Sequence, residues 1–138
     1  MARANHLKVS QSFGYARGLE PEGTMITAIV RYKLPATIGY DECRAHFHKI
    51  APNFKTAKGL ISKHFIWCEN GTAGGVYQWE SLADAKAFYS GAWLKGILER
   101  YGMYPEIEYF EVFALTDNAK GVVEKFEDPA QSLKRKAS

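Results

Sequence analysis

Cysteine is scarce in this chain: Cys43 and Cys68 are the two among 138 residues. Neither stands in a CxxC pair or a Cys/His cluster, so there is no disulfide framework and no zinc module to read. Free thiols in a reducing compartment are the expectation, and with them a cytoplasmic protein. Long apolar runs are missing too. The longest span a few residues, far short of a bilayer, and the first six residues (Met-Ala-Arg-Ala-Asn-His) lack the apolar stretch of a secretion signal. Charge of one sign is nowhere concentrated. Basic and acidic residues number three and two in residues 1–24, ten and nine in 25–116, and five and four in 117–138. With no basic face, neither a nucleic acid nor an anionic membrane is expected as a partner. No repeat of solenoid length is present either.

Aromatic side chains are what the sequence has in quantity. They make up 14% of the residues, and sixteen of the nineteen fall between Tyr32 and Phe113. The hydrophobic share of 46% and charged share of 24% are those of a globular protein. The length suits one domain, able to bury roughly two-thirds of its unfolded surface without staples.

Residues 1–24 have no steady period and contain Gly14, Gly18, Pro21 and Gly23, which reads as an irregular arm. Met25, a candidate translation start, precedes a strand predicted over 25–34 and stopped by Pro35. Tyr40, Cys43, Phe47, Ile50 and Phe54 then recur at three- and four-residue steps, the apolar stripe of a helix. Asp41 and Glu42 fall in its first turn and lysines near its end, as the helix dipole favours. A second strand is expected over 60–69. Asn70-Gly71 cues a hairpin with a loop longer than two residues, leading to a third strand over 74–80. Ser81 and Asp84 suit a helix start, with Leu82, Ala85, Tyr89 and Ala92 as its stripe. Gly91 and Gly96 weaken that helix, so 93–101 reads as a separate, offset turn. Gly102 and Pro105 close it before a fourth strand over 106–116. The remainder, 119–138, is a polar tail with a small apolar patch (Val122, Val123, Phe126) and a basic end, Lys134-Arg135-Lys136.

The order βαββαβ, with right-handed crossovers, specifies a ferredoxin-like α+β sandwich over residues 25–118. Helices cover one face of such a sheet, yet the strands do not alternate cleanly. Strand one offers Ile26, Ala28, Val30 and Tyr32 on one side and Met25, Thr27 and Ile29 on the other. Both faces want cover, which predicts a homodimer joined sheet to sheet.

Gly59-Leu-Ile-x-Lys63-x-Phe65, then Ala73-Gly74-Gly75-Val76-Tyr77-x-Trp79, the 81–89 helix and the 106–115 strand together resemble the YdhR-like monooxygenase family. That family lies within the dimeric α+β barrel superfamily, alongside the antibiotic-biosynthesis-type monooxygenases. The resemblance spans about residues 25–118. It implies two ferredoxin-like subunits joined through their sheets, each with a pocket between sheet and helices. The implied activity is O2-dependent oxidation of a small aromatic or polyketide-type substrate, with no metal, flavin or haem. The chain departs from the family in its N-terminal arm, a slightly shorter loop between strands two and three, and Ser62, His64 and Trp67.

Cofactor-free oxygenation requires a base, a dry pocket for planar rings and a donor for the developing peroxide. His64, whose neutral imidazole accepts a proton near pH 7, is the base expected from the sequence. Its alternative is a strand histidine hydrogen-bonded beside the dimer interface. Tyr77 and Trp79 share one face of strand three, with Gly75 leaving open volume beside them. They are expected to hydrogen-bond or orient the substrate, or else simply to pack the core. Phe65, Tyr89 and Trp93 are expected to line the pocket's apolar sides. His46 and His48, two apart on a helix, point in different directions and read as part of a solvated face. Two other functions remain open on the same fold: a small-molecule-binding dimer without catalysis, and an oxygen-independent isomerase or dehydratase.

Overall fold

The computed structural model describes residues 24–126. The N-terminal arm and the Lys134-Arg135-Lys136 end therefore lie outside the described residues. The first strand, β1 (Ile26–Lys33), is strictly two-faced. Ile26, Ala28, Val30 and Tyr32 are buried, whereas Thr27, Ile29 and Arg31 are half-buried on the opposite side. Pro35 follows, and the chain enters α1 (Tyr40–Ile50), where the Glu42 carboxylate accepts the Gly39 backbone N–H at 2.9 Å. Cys43 and Phe47 are the buried residues of this helix. Pro52 lies in a single 3-10 turn (Ala51–Phe54), which extends the apolar stripe to Phe54.

The hairpin β2 (Leu60–Trp67) and β3 (Thr72–Trp79) is joined by four residues, 68–71, with Gly71 at φ +87°. Its loop is closed by Cys68 N–H to the Thr72 carbonyl, and by Thr72 N–H to the Asn70 side-chain oxygen. Two short helices follow where the sequence suggested one helix and an offset turn. The Ser81 hydroxyl caps α2 (Leu82–Phe88) by accepting the Asp84 N–H at 3.1 Å. Gly91, at φ +52°, starts α3 (Gly91–Tyr101), and Gly102 ends it in the left-handed conformation. The next strand, β4 (Glu106–Glu111), completes a four-stranded antiparallel sheet in the order β2-β3-β1-β4. That order, with both crossovers helical, is the ferredoxin-like α+β sandwich.

One boundary differs from the expectation. β4 ends at Glu111 instead of running to residue 116. Its register with β1 ends at Glu111 opposite Ile26, and Val112 N–H bonds the carbonyl of Met25, the residue before β1. The chain leaves the sheet there and folds into a separate hairpin, β5 (Ala114–Asp117) with β6 (Val122–Lys125). The patch Val122, Val123 and Phe126 thus belongs to a strand and its edge.

The core lies between the sheet and the helices. It joins Ile26, Ala28, Val30 and Tyr32 to Tyr77, Trp79, Ile107 and Tyr109 from the other strands, and to Phe47, Leu82, Ala85, Tyr89 and Tyr101. At Gly74 the β1 backbone comes so close that a Cβ would sit 1.8 Å from the Val30 carbonyl oxygen, so only glycine fits. The other face of the sheet is mixed. It carries Ile29, Val76, Ile66 and Phe110, a Thr27–Gln78 hydrogen bond and the Arg31–Glu108 ion pair. No helix among the described residues is long and apolar enough to cross a membrane.

Candidate active site

A cavity of about 550 Å³ opens between the helical layer and the β2–β3–β1 part of the sheet. Helix α1 and its 3-10 turn contribute His46, Phe47, Ile50, Asn53 and Phe54. Helices α2 and α3 contribute Phe88, Ala92, Trp93, Gly96, Ile97, Arg100 and Tyr101, while the sheet supplies Tyr32, Lys63 and Tyr77. The walls are thus mostly ring faces, with a few polar ends directed between them. Among the described residues no carboxylate lines the cavity.

Lys63 is the residue that gives this cavity chemistry. On β2 it shares its face with Phe65 and Trp67, pointing towards the helices, and its side chain passes over Gly75. The Nζ atom lies 3.7 Å from the Phe54 ring centre, 3.8 Å from that of Phe65 and 4.5 Å from that of Tyr77. Among the described residues no Asp or Glu is within ion-pair distance of it. Burial pushes its ammonium down to about 7, because water is withdrawn and no counter-charge replaces it. The ring faces act in the opposite sense, since their quadrupoles favour the cation. Near neutral pH the group can therefore both hold and release a proton.

The tyrosines behave oppositely. Burial raises the Tyr77 hydroxyl well above the ordinary phenol value, although a hydrogen bond with Trp93 partly offsets this. Tyr89 is raised by burial and then by Tyr77, against a hydrogen bond from Trp79. Tyr32 is raised by burial and by Tyr101, whose ring stacks on it at 4.0 Å between centroids. All three remain neutral phenols at working pH and act as donors or acceptors of hydrogen bonds, not as bases. His46, half-buried, is lowered by desolvation first and then by Arg100, Lys49 and Lys63. It is held neutral beside a cationic wall.

The residues singled out from sequence divide into three groups. Tyr77 and Trp93 line the cavity. Trp79, Tyr89 and Phe65 stand one layer behind it: Trp79 stacks on Tyr77 at 5.9 Å and donates its indole N–H to the Tyr89 hydroxyl at 3.0 Å. Phe65 packs against Phe47 and Phe54, each at 5.3 Å. His64 is on the opposite face of β2, exposed and paired in register with Val76, with the strand between it and the cavity. Lys63, Asn53 and Arg100 had no role assigned from sequence, and His46, read there as part of a solvated helix face, is instead half-buried on the cavity wall. The signal for Lys63 was its two-residue spacing from Phe65, which places both on one face whichever face that is.

No protein-family model and no curated protein matches this sequence. Solved structures do. A Nitrosomonas europaea protein of unknown function superposes with a TM-score of 0.57 at 15% identity, covering 70% of this chain and 96% of that one. A putative antibiotic biosynthesis monooxygenase from Caulobacter crescentus gives 0.52 at 17% identity, covering 66% and 92%. A conserved Bacteroides thetaiotaomicron protein of unknown function, described as a possible oxidoreductase, gives 0.50 at 14%, covering 65% and 99%. The fold is shared with these proteins. At such identities the likeness extends to architecture, and chemistry has to be argued from the cavity itself.

Proposed function

We propose that the protein is a cofactor-independent monooxygenase that oxidises a small phenol- or enol-bearing aromatic with O2. The observation that carries this reading is Lys63: an amine without a carboxylate partner, set among ring faces inside an aromatic-lined cavity. The neutral amine takes a proton from the bound substrate, leaving an electron-rich enolate or phenolate. Such an anion reduces O2 itself. A hydroperoxide forms at the activated carbon, and loss of water leaves a carbonyl there, so one oxygen atom enters the product and no external reductant is consumed. Tyr77, a neutral phenol on the cavity wall, is placed to hydrogen-bond the substrate oxygen or the peroxide. Trp93 and Phe88 confine the ring, and Trp79, Tyr89 and Phe65 hold that wall in place. The base is Lys63 and not His64, because His64 projects from the other side of the strand.

The motif from Gly59 to Trp79 supports placement with the YdhR-like proteins, and the superposition on the Caulobacter crescentus structure, a putative antibiotic biosynthesis monooxygenase, supports the shared scaffold. A homodimer is part of the proposal. The helix-free sheet face exposes Phe110 and Ile66, and the β5–β6 hairpin exposes Phe113 and Val123, surfaces that a second copy would cover. Two free thiols, Cys43 and Cys68, suit a cytoplasmic setting.

The test is oxygen uptake by metal-stripped protein with anthrones, hydroquinones and enol-bearing polyketide mimics, beside Lys63→Met. Uptake above the buffer rate that falls at least about tenfold in the variant is expected, general-base contributions being of order 10²–10⁴. Stabilisation by one of these compounds without oxygen consumption would overturn catalysis in favour of a binding protein.

A further inference from the structure

We propose that Lys63 is also a covalent attachment point, its amine condensing with an aromatic or α,β-unsaturated aldehyde or ketone in the cavity to form an imine. This goes beyond the oxidation reading and does not rest on it, since no oxygen chemistry is involved. An imine-forming lysine needs an unpaired amine, room for a carbonyl compound beside it, and surroundings that exclude bulk water. The cavity supplies the first two, and the ring faces around the half-buried Lys63 supply part of the third. Nζ stands against Phe54, Phe65 and Tyr77, none of which can take its proton at neutral pH. The volume of about 550 Å³ has room for a single-ring ligand. The charged and titratable side chains lining the same space are His46, Arg100, Tyr32, Tyr77 and Tyr101, with no carboxylate among them to tie up the ammonium. Burial adds to this by holding much of the amine unprotonated near neutrality.

The step balances without an added reagent. The nitrogen lone pair forms a bond to the carbonyl carbon, and the carbonyl π pair moves to oxygen, which takes up protons released by the nitrogen. The C–O bond then breaks and water leaves, giving C=N. Ligand shape follows from the walls: Phe47, Phe54, Phe88 and Trp93 accept a flat ring. Ligand charge follows from Arg100, whose guanidinium on the cavity lining favours a carboxylate on the ring. An aromatic aldehyde acid is therefore the class the site should take.

The experiment uses 4-carboxybenzaldehyde and unsubstituted benzaldehyde with the folded chain at pH 7, trapped with borohydride and read by intact mass and peptide mapping. One reduced adduct on Lys63 is expected, forming at least about tenfold faster than on the exposed lysines Lys58 and Lys95. Lys63→Met should lose that adduct while unfolding cooperatively at a temperature no lower than that of the parent. Arg100→Gln should slow labelling by the carboxylated aldehyde but not by benzaldehyde. Labelling of Lys63 no faster than that of Lys58 and Lys95 would overturn the proposal. So would an equally fast adduct elsewhere in Lys63→Met. Oxygen uptake on a carbonyl-free hydroquinone is scored separately, so either idea can fail alone.

Discussion

Gly75 is the floor on which Lys63 rests. A Cβ built at Gly75 would come 2.7 Å from Lys63 Cε and 2.8 Å from Tyr77 Cε1, so the missing side chain makes the channel the lysine occupies. Gly75→Ala should therefore displace Lys63 or Tyr77 and cost about 1–3 kcal/mol through overpacking. Calorimetry checks the stability. The midpoint of the Lys63 labelling profile against pH should move towards the ordinary lysine value as the ammonium regains water. An unchanged midpoint would mean that the lysine is seated by its ring neighbours alone.

Lys63 also sets a pH dependence of stability. Its amine titrates near 7 in the folded chain and near 10.5 when unfolded. Between those values the unfolded state holds the extra proton, so stability rises with pH across that window, and below about 7 the folded state bears the full cost of a buried ammonium. Lys63→Met should remove this trend. The variant is expected to be the more stable protein at pH 6, with its advantage shrinking as the pH approaches 10. Above that, Tyr32, Tyr77 and Tyr89 reverse the slope, because the unfolded phenols ionise while the buried ones stay protonated. Denaturant melts of both proteins from pH 6 to 10 supply the comparison.

The hydrogen bond from Trp79 to Tyr89 ties two of the rings behind the cavity together. Trp79 is fully buried. Tyr89→Phe keeps the ring but strands the indole N–H, and should lower stability by about 1–3 kcal/mol. If the Trp79 pair holds the cavity wall, ligand affinity should weaken in the same variant. Thermal melts with and without the best-stabilising aromatic compound separate these two effects.

The helix-free face makes its own prediction. Solution scattering at micromolar concentration should give a dimer mass for the parent chain, and Ile66→Glu combined with Phe110→Glu should give a monomer. A monomeric parent would remove the dimer from the proposal and leave the cavity argument untouched.

Much of the architecture was legible. Alternation from Ile26 to Tyr32 and the three-and-four spacing of Tyr40, Cys43 and Phe47 are direct images of strand and helix geometry. Handedness then leaves few ways to join four strands and two helical crossovers. The site was harder to read. A period of two says that Lys63, Phe65 and Trp67 share a face and that His64 and Ile66 share the other, but both sets mix apolar and polar groups. A charged residue normally argues for the solvent side. Here Lys63 goes inward because Gly75 leaves it a channel and three rings receive its end, relations between strands that no local pattern records. The end of β4 was hidden for a similar reason: the apolar run from Val112 to Leu115 continues in sequence after the register with β1 has ended at Glu111.

Gly96 faces the cavity from the middle of α3, and nothing lies within 4 Å of where its Cβ would be. A glycine inside a helix costs about 1 kcal/mol relative to alanine. Rigidity and capacity are thus set against each other at one position. Each carbon added there would stiffen the helix and shorten the longest molecule the protein can enclose, which makes residue 96 the dial by which ligand size could be graded without touching the reactive amine.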